Sequence, residues 1–348
     1  MSKIALLGDT HFGCRNGNSR FHSFFDKVYC DFFFPELEKL GIKKIIQLGD
    51  LWDTRKSIQI ESIYEARRYF FDRLVGYDIE MITLLGNHDI VFRNTVDFNS
   101  SSVLLEGYKD NVNIIDKPTT LLIDGSEFLF VPWLCEDNKE EIESEILKST
   151  SDYLVGHFEL NGFEMFKGQP AHGGYELNNL DKFKTVFSGH FHHRSRKGNI
   201  LYTGTLYEMT WQDYNDPKGF HILDTVTGKL EFVKNPYVIH QTIEYDDRVE
   251  ELNNLEIYRN CFIKIFVKNK IDQYKFELFL DSLNNVGVYD IKVIDQEFIN
   301  LTSDVDIEHD CEDTLTLIDL YIDNITINNK DKLKDYIREL YTKSLLVE

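Results

Sequence analysis

Short apolar runs that end in glycine recur through the first half of the chain. KIALLG (3–8), KIIQLG (44–49), EMITLLG (80–86), DYLVG (152–156) and KTVFSG (184–189) share this form, and each leads into a polar, chemically capable residue. Runs of this length, apolar throughout, predict buried strands. Two longer segments with helical spacing separate the first three. FHSFFDKVYCDFFFPELEKLG (21–41) carries Pro35, which is expected to kink or break the helix. SIQIESIYEARRYFFDRLVG (57–76) is apolar at 60, 63, 64, 70, 71 and 74. Strands alternating with helices imply α/β layers, in which ligands gather at the carboxyl ends of the strands.

Further on the pattern turns to β. VNIIDKPTTLLIDGSEFLFVPWL folds back at Asp124-Gly125, and the stretch 199–233 reads similarly around a Thr-Gly turn. Two sheets face to face with helices outside are therefore expected for residues 1–235. After NPYV (235–238) the pattern changes to a small strand–helix–strand domain over 236–300. CFIKIFVKN (261–269) and YDIKVIDQEF (289–298) are its strands, and the helix starts behind an Asp N-cap at 272. The acidic stretch NLTSDVDIEHDCED (300–313) reads as a linker. Two amphipathic helices follow, at 314–325 and 330–346, so 301–348 forms a linker plus a helical hairpin.

The polar residues after the strands form a set. GDTH supplies Asp9 and His11, GDLWD supplies Asp50 and Asp53, and GNHD supplies Asn87, His88 and Asp89. His157 follows the fourth run, and FSGHFHH supplies His190, His192 and His193 after the fifth. FSGHFHH alone fits an ordinary polar loop as well as a metal site. Five such endings in one chain point to a metal site. Mixed oxygen and nitrogen donors suit Mn²⁺, Fe²⁺ or Zn²⁺, whereas Mg²⁺ and Ca²⁺ prefer oxygen. Seven donors are too many for one ion and suit two that share a carboxylate. Two ions about 3.5–4 Å apart hold a phosphodiester for in-line attack, and a neighbouring histidine protonates the leaving group.

Composition narrows the partners. The chain has 348 residues, 42% hydrophobic and 14% aromatic, and a formal net charge of −21. Such a balance argues against holding nucleic acid by the global field of the chain. By segment the balance is −9 over residues 1–235 and −12 over the remainder, so the catalytic part carries less of the excess. Five cysteines with no CxxC pair fit thiols in a reducing compartment. With no apolar run of membrane-spanning length and no signal-peptide pattern, a cytoplasmic protein is expected, without a membrane partner. GxGxxG and GxxxxGK[ST] loops are absent.

The motifs GDTH, GDLWD, GNHD, GH and GHFH together resemble the calcineurin-like metallophosphoesterase superfamily. GDLWDTRK lacks the DRG element of its Ser/Thr phosphatases. GDLWDTRKSIQ, LLGNHD, DKPTT, PWLCEDN, GHFELNGF, SGHFHH and NDPKGF are instead similar to SbcD-type nuclease subunits of double-strand-break repair complexes, tailed-phage members above all. The resemblance implies a metallophosphoesterase fold with a capping domain and a helical hairpin. It implies two divalent ions, Mn²⁺ in the first place with Mg²⁺ as the substitute. Asp9, His11, Asp50 and His192 would hold one, and Asp50, Asn87, His157 and His190 the other. His88 would serve as general acid or transition-state stabiliser and Asp89 would orient it. It further implies 3′-to-5′ exonuclease action on duplex DNA and endonuclease action on single strands. The chain would pair with itself through the helices at 21–41 and 57–76, and its C-terminal helices would dock on an SbcC-type ATPase. If phage-encoded, the protein would act in the host cytoplasm.

Two positions depart from that pattern: Asp53 stands where cellular members often carry His, and Leu206 where Pro is common. A phosphatase or small-molecule phosphodiesterase and a non-catalytic scaffold are the competing classes. Arg194, Arg196 and Lys197 lie next to the set and either contact phosphates or form a basic loop tip. Trp133 and Trp211 are expected to pack, with Tyr207 and Trp211 weaker candidates for DNA contact. Cys14, His22, His172, His221, His240 and His309 have no motif around them.

Overall fold

The computed structural model describes residues 3–167, 174–249 and 254–295, the backbone of 169–170, and a few helical positions between 322 and 336. The chain divides into two compact units, Met1–Ile239 and His240–Glu348. The helical hairpin expected within 301–348 lies outside the described residues apart from those few positions.

The first unit holds two six-stranded sheets. One has the order β14-β13-β1-β2-β3-β4, with β1 Lys3–Leu7, β2 Lys44–Gln47, β3 Glu80–Leu84, β4 Val112–Ile115, β13 Gly219–Asp224 and β14 Leu230–Lys234. The other has the order β11-β12-β10-β7-β6-β5, with β5 Thr119–Ile123, β6 Ser126–Phe130, β7 Tyr153–Gly156, β10 Thr185–Ser188, β11 Ser195–Lys197 and β12 Ile200–Tyr202. A small hairpin, β8 Glu164–Phe166 with β9 Gln169–Pro170, stands apart from both. β1, β2, β3 and β4 run parallel, as do β6, β7, β10 and β12. All five glycine-ended runs are therefore parallel strands.

Ile4, Leu6 and Ile46 of the first sheet meet Phe128, Phe130, Val155 and Phe187 of the second in one buried layer. Each such side chain contributes about 1.5–3 kcal/mol by leaving water, and the layer fixes where the strand ends emerge. The opposite face of the second sheet, with Leu154 and Val186, is covered by Ile142 and Ile146 of the helix Lys139–Lys148. Asp124 and Gly125 both have positive φ, 48° and 88°, as the tight turn between β5 and β6 requires.

Pro35 does not end its helix. Ser19–Val28 continues through a π-turn, Tyr29–Phe33, into Phe34–Leu40. The Phe34 N–H donates to the Tyr29 carbonyl, five residues back, so the register widens just where the proline ring would otherwise crowd the preceding turn. The second helical segment begins at Ile60 and has its own π-turn, Arg67–Phe71, which no proline explains. The two turns meet: the Tyr29 and Tyr69 rings stack at 5.6 Å with 9° between planes.

The second unit has a parallel sheet in the order β15-β16-β17, with β15 His240–Asp246, β16 Phe262–Asn269 and β17 Asp290–Asp295, and a helix, Gln273–Val286, between the last two. Asp272 caps that helix by accepting the Lys275 N–H. β15 lies beyond the strand–helix–strand pattern read from sequence.

Candidate metal centre

The carboxyl ends of β1, β2, β3, β7 and β10 converge. His11, Asp50 and His190 themselves adopt left-handed backbone, with φ of 42°, 52° and 82°. L-residues rarely do so, and such conformations concentrate at functional sites. Gly49, before Asp50, shares the left-handed turn with φ 96°, whereas Gly86 and Gly189 provide room. A Cβ on Gly86 would strike the Asp50 carboxylate, and one on Gly189 would strike the Leu48 carbonyl and the Asp9 carboxylate.

Two donor groups result. In the first, His11 Nε2 lies 3.1 Å from His192 Nε2, 3.9 Å from Asp9 Oδ2 and 3.8 Å from Asp50 Oδ2. In the second, Asn87 Oδ1 lies 3.1 Å from His157 Nε2 and 3.0 Å from His190 Nδ1. His157 Nε2 is also 3.3 Å from Asp50 Oδ2. The same Asp50 oxygen thus faces both groups. Donors about 2.0–2.2 Å from one ion stand roughly 3–4 Å apart, and these spacings match. His192 Nδ1 is buried without a hydrogen-bond partner among the described residues.

The remaining ring atoms fix which nitrogen faces inward. His157 Nδ1 donates to the Leu48 carbonyl at 2.7 Å, so Nε2 is the nitrogen turned toward Asp50. His11 Nδ1 lies 3.3 Å from Asp53 Oδ1. These are the contacts by which metal-binding imidazoles are oriented. The His190 backbone N–H reaches both Asp9 oxygens at 3.1 Å, and the His88 N–H reaches Asp50 Oδ1 at 2.7 Å.

Asp89 differs from expectation. Its carboxylate accepts the backbone N–H groups of Gly86, Leu51 and Trp52, so it fastens two strand-end loops together. The His88 ring is held by the Asp53 carbonyl instead, 2.5 Å from Nδ1. A carboxylate buried between backbone amides orders main chain, and the ring of the preceding residue is left to the nearest carbonyl.

The electrostatics favour added positive charge. Burial opposes a charged His157, yet Asp50 and Asp9 overcome it and lift the ring to about 9. His11 is lifted to about 9 against burial by Asp53, Asp50 and Asp9. Burial pushes Asp9 up to about 6, while His157 holds Asp50 well below the carboxylate range despite burial. Burial and positive neighbours drive His190 and His192 down to about 3, keeping them neutral. His190 and His192 are thus ready as neutral donors, while the protons that the carboxylates hold on His11 and His157 would leave when a divalent cation binds.

Sequence reasoning missed part of the surroundings. Trp133 packs as expected, and what it packs against includes the site: its ring lies 5.2 Å from that of His190. Lys218 is buried and donates to the His192 carbonyl at 2.9 Å, paired with Asp213 at 2.7 Å and Asp216 at 2.9 Å. The segment NDPKGF held that signal. Tyr207 is not a surface residue; it is fully buried, and its hydroxyl donates to the Thr10 carbonyl at 2.7 Å. His193 binds Asp216 at 3.0 Å, outside both donor groups. Arg194, Arg196 and Lys197 are exposed. Arg196 and Lys197 lie on the edge strand β11, and the Arg194 guanidinium lies 4.4 Å over the Phe232 ring.

Paired mixed sheets with a carboxylate–imidazole centre at the ends of their parallel strands define a metal-dependent phosphoesterase. The chain belongs to the calcineurin-like phosphoesterase family, whose model matches residues 2–194. It is 33% identical to exonuclease subunit 1 of Enterobacteria phage T4, over 98% of this chain and 99% of that one. It is 26% identical to the DNA double-strand break repair protein Mre11 of Methanocaldococcus jannaschii, over 98% and 93%. With an SbcCD nuclease subunit of Staphylococcus epidermidis it shares 24% identity over 79% and 78%. The protein is a metal-dependent phosphodiester hydrolase.

Proposed function

We propose that the protein is the nuclease subunit of a DNA recombination and repair complex. It hydrolyses DNA phosphodiesters with two divalent ions, Mn²⁺ in the first place, as a 3′-to-5′ exonuclease on duplexes and an endonuclease on single strands. The observation that carries the reading is the single Asp50 oxygen facing two complete donor groups. Asp9, His11, Asp50 and His192 would hold one ion, and Asp50, Asn87, His157 and His190 the other. When bound, the ions supply Lewis acidity toward the phosphate and acidify the attacking water. The protein's own residues do the rest. Asp53 and the Leu48 carbonyl keep the imidazole lone pairs inward. His88, edge-on to His11 at 4.9 Å between ring centres, would act on the leaving oxygen as general acid or as a hydrogen-bonding stabiliser of the transition state; burial lowers its pKa and so favours the neutral ring.

Replacing His88 by Ala should keep both ions, measured by Mn²⁺ calorimetry, and lower cleavage of labelled duplex by about 10²–10⁴. Equal cleavage by variant and wild type removes His88 from the chemistry.

The relatives named as subunits support an assembly partner, an SbcC-type ATPase, with 301–348 as the docking segment. Ile60 and Tyr64, 85% and 65% exposed on one helix face, support self-pairing through the aromatic helices. Deleting 314–348 should abolish co-purification with the cognate ATPase and spare hydrolysis of bis-p-nitrophenyl phosphate. Undiminished co-purification defeats the docking assignment.

A further inference from the structure

The loop that follows GNHD is anchored like a core element and yet displays two aromatic rings to solvent. Ile90 and Asn99 close it with an antiparallel bridge, reinforced by the Val91 N–H to the Phe98 carbonyl at 3.0 Å. The Asp137 N–H holds the Asn94 carbonyl at 3.1 Å. Beneath, Ile90 and Val96 are buried with Leu85, Cys135 and Trp133, and the Trp133 ring lies 5.2 Å from His190. The apolar side of the loop is thus already satisfied. Phe92 and Phe98 remain 54% and 56% exposed, with ring centres 6.2 Å apart and planes 35° from parallel. The fold gains little from them.

The charge beside them is equally uncommitted. Arg93 lies between the two rings in sequence, and Arg55 follows the Asp50–Asp53 segment. Three arginines of this acidic chain pair with carboxylates, Arg68 with Glu65 and Asp26, Arg248 with Asp246, Arg259 with Glu256. Among the described residues no carboxylate pairs with Arg55 or Arg93. Arg55 sits under the opposing influence of Asp50, whereas Arg93 is exposed and next in sequence to Phe92, where a guanidinium suits a phosphate oxygen.

We infer that Phe92 and Phe98 form a stacking platform for an unpaired base, with Arg93 of the same loop gripping the adjoining phosphate. The inference rests on the nuclease reading and names its ligand: a single strand or the frayed end of a duplex. Bases inside a duplex already stack on both faces; an unpaired base can turn a free face to rings at the side of the strand. Stacking on an aromatic side chain contributes about 1–3 kcal/mol per base in single-strand binding.

The test uses the full chain, a short single strand carrying 2-aminopurine, and EDTA to stop cleavage. Wild type should quench the probe. The double variant Phe92→Ala/Phe98→Ala should lose the quench and bind about tenfold more weakly, at the lower end of that stacking range. Phe92→Tyr/Phe98→Tyr, which keeps both rings, should restore both. Arg93→Gln should reduce the salt dependence of binding by about one phosphate contact. Undiminished quench in the alanine variant, or equal loss of affinity for a blunt G·C-clamped duplex, overturns the platform. Hydrolysis of bis-p-nitrophenyl phosphate by wild type with Mn²⁺ reads the metal centre separately. Failure there with the quench difference intact overturns the metal reading alone; hydrolysis without a quench difference overturns the platform alone.

Discussion

The two sheets give the metal centre different chemistry, and each is oriented in part by the other. The first sheet supplies its oxygen donors, Asp9, Asp50 and Asn87, with His11. The second supplies imidazoles, His157, His190 and His192. Asp9 is held by a backbone amide after β10, while His157 is held by a backbone carbonyl after β2. Asp9 takes an N–H from the opposite side and His157 gives one to a carbonyl there in return, while Asp50 and His11 are held from within their own sheet, by the His88 N–H and by Asp53. The sandwich core sets the contacts across the site, and the first sheet adds its own.

Asp50 is the point where the halves meet, and removing it should have the largest effect. Each ion contributes several kcal/mol to the transition state. Asp50→Ala loosens both, so Mn²⁺-dependent cleavage should fall by about 10⁴-fold, with calorimetry showing both sites weakened. His192→Ala touches one donor group and should weaken one. If the two variants affect both ions alike, the division into two groups sharing Asp50 is wrong.

The next effect concerns support of the imidazole side alone. Lys218 is buried against Asp213 and Asp216 and holds the His192 carbonyl. Burial alone would raise Asp213, but Lys218 and His192 override it and hold the carboxyl at about 2. A depressed carboxyl stabilises the fold above its unfolded pKa of about 3.9, and that contribution disappears as pH falls through about 2. Asp213→Asn leaves a buried cation half-compensated and should cost about 3–5 kcal/mol at neutral pH. Urea unfolding at pH 7 measures it, and the gap between variant and wild type should narrow toward pH 2. A gap that stays constant over that range excludes Lys218–Asp213 as its source.

What was readable in the sequence follows the same division. Parallel strands buried on both faces appear as unbroken apolar runs, and ligands cluster at their carboxyl ends. Hence the strand ends and the carboxylates and imidazoles were legible from residue types and order. The orienting contacts were not. Leu48 serves His157 through a carbonyl, which every residue has. Asp89 reads like any acid after a histidine, and only the folded loops show that it binds amides at Gly86, Leu51 and Trp52. Tyr207 lies 197 positions from Thr10, so no local spacing links them. The π-turns were hidden for another reason: their apolar spacing is that of an ordinary helix, and the widened hydrogen bond leaves no mark on residue type.

Tyr207 gives the smallest and most discriminating test, because it joins the aromatic helices to the oxygen side of the centre. Its hydroxyl donates to the carbonyl of Thr10, between Asp9 and His11, and meets the Tyr29 hydroxyl at 3.1 Å. Its ring stacks on Phe25 at 4.0 Å. Tyr207→Phe preserves the stack and leaves a buried acceptor unpaired, at a cost of about 1–3 kcal/mol. If the hydroxyl only supports the fold, the melting temperature drops and Mn²⁺ affinity does not change. If it also sets the Asp9–His11 turn, affinity falls by about tenfold, as for other groups that orient metal-binding side chains. The expected result is the second, with the loss confined to the ion held by Asp9, His11 and His192. An unchanged affinity would mean that the other anchors of Thr10, its hydroxyl on the Leu51 carbonyl and its N–H on the Asp50 carbonyl, hold the turn unaided.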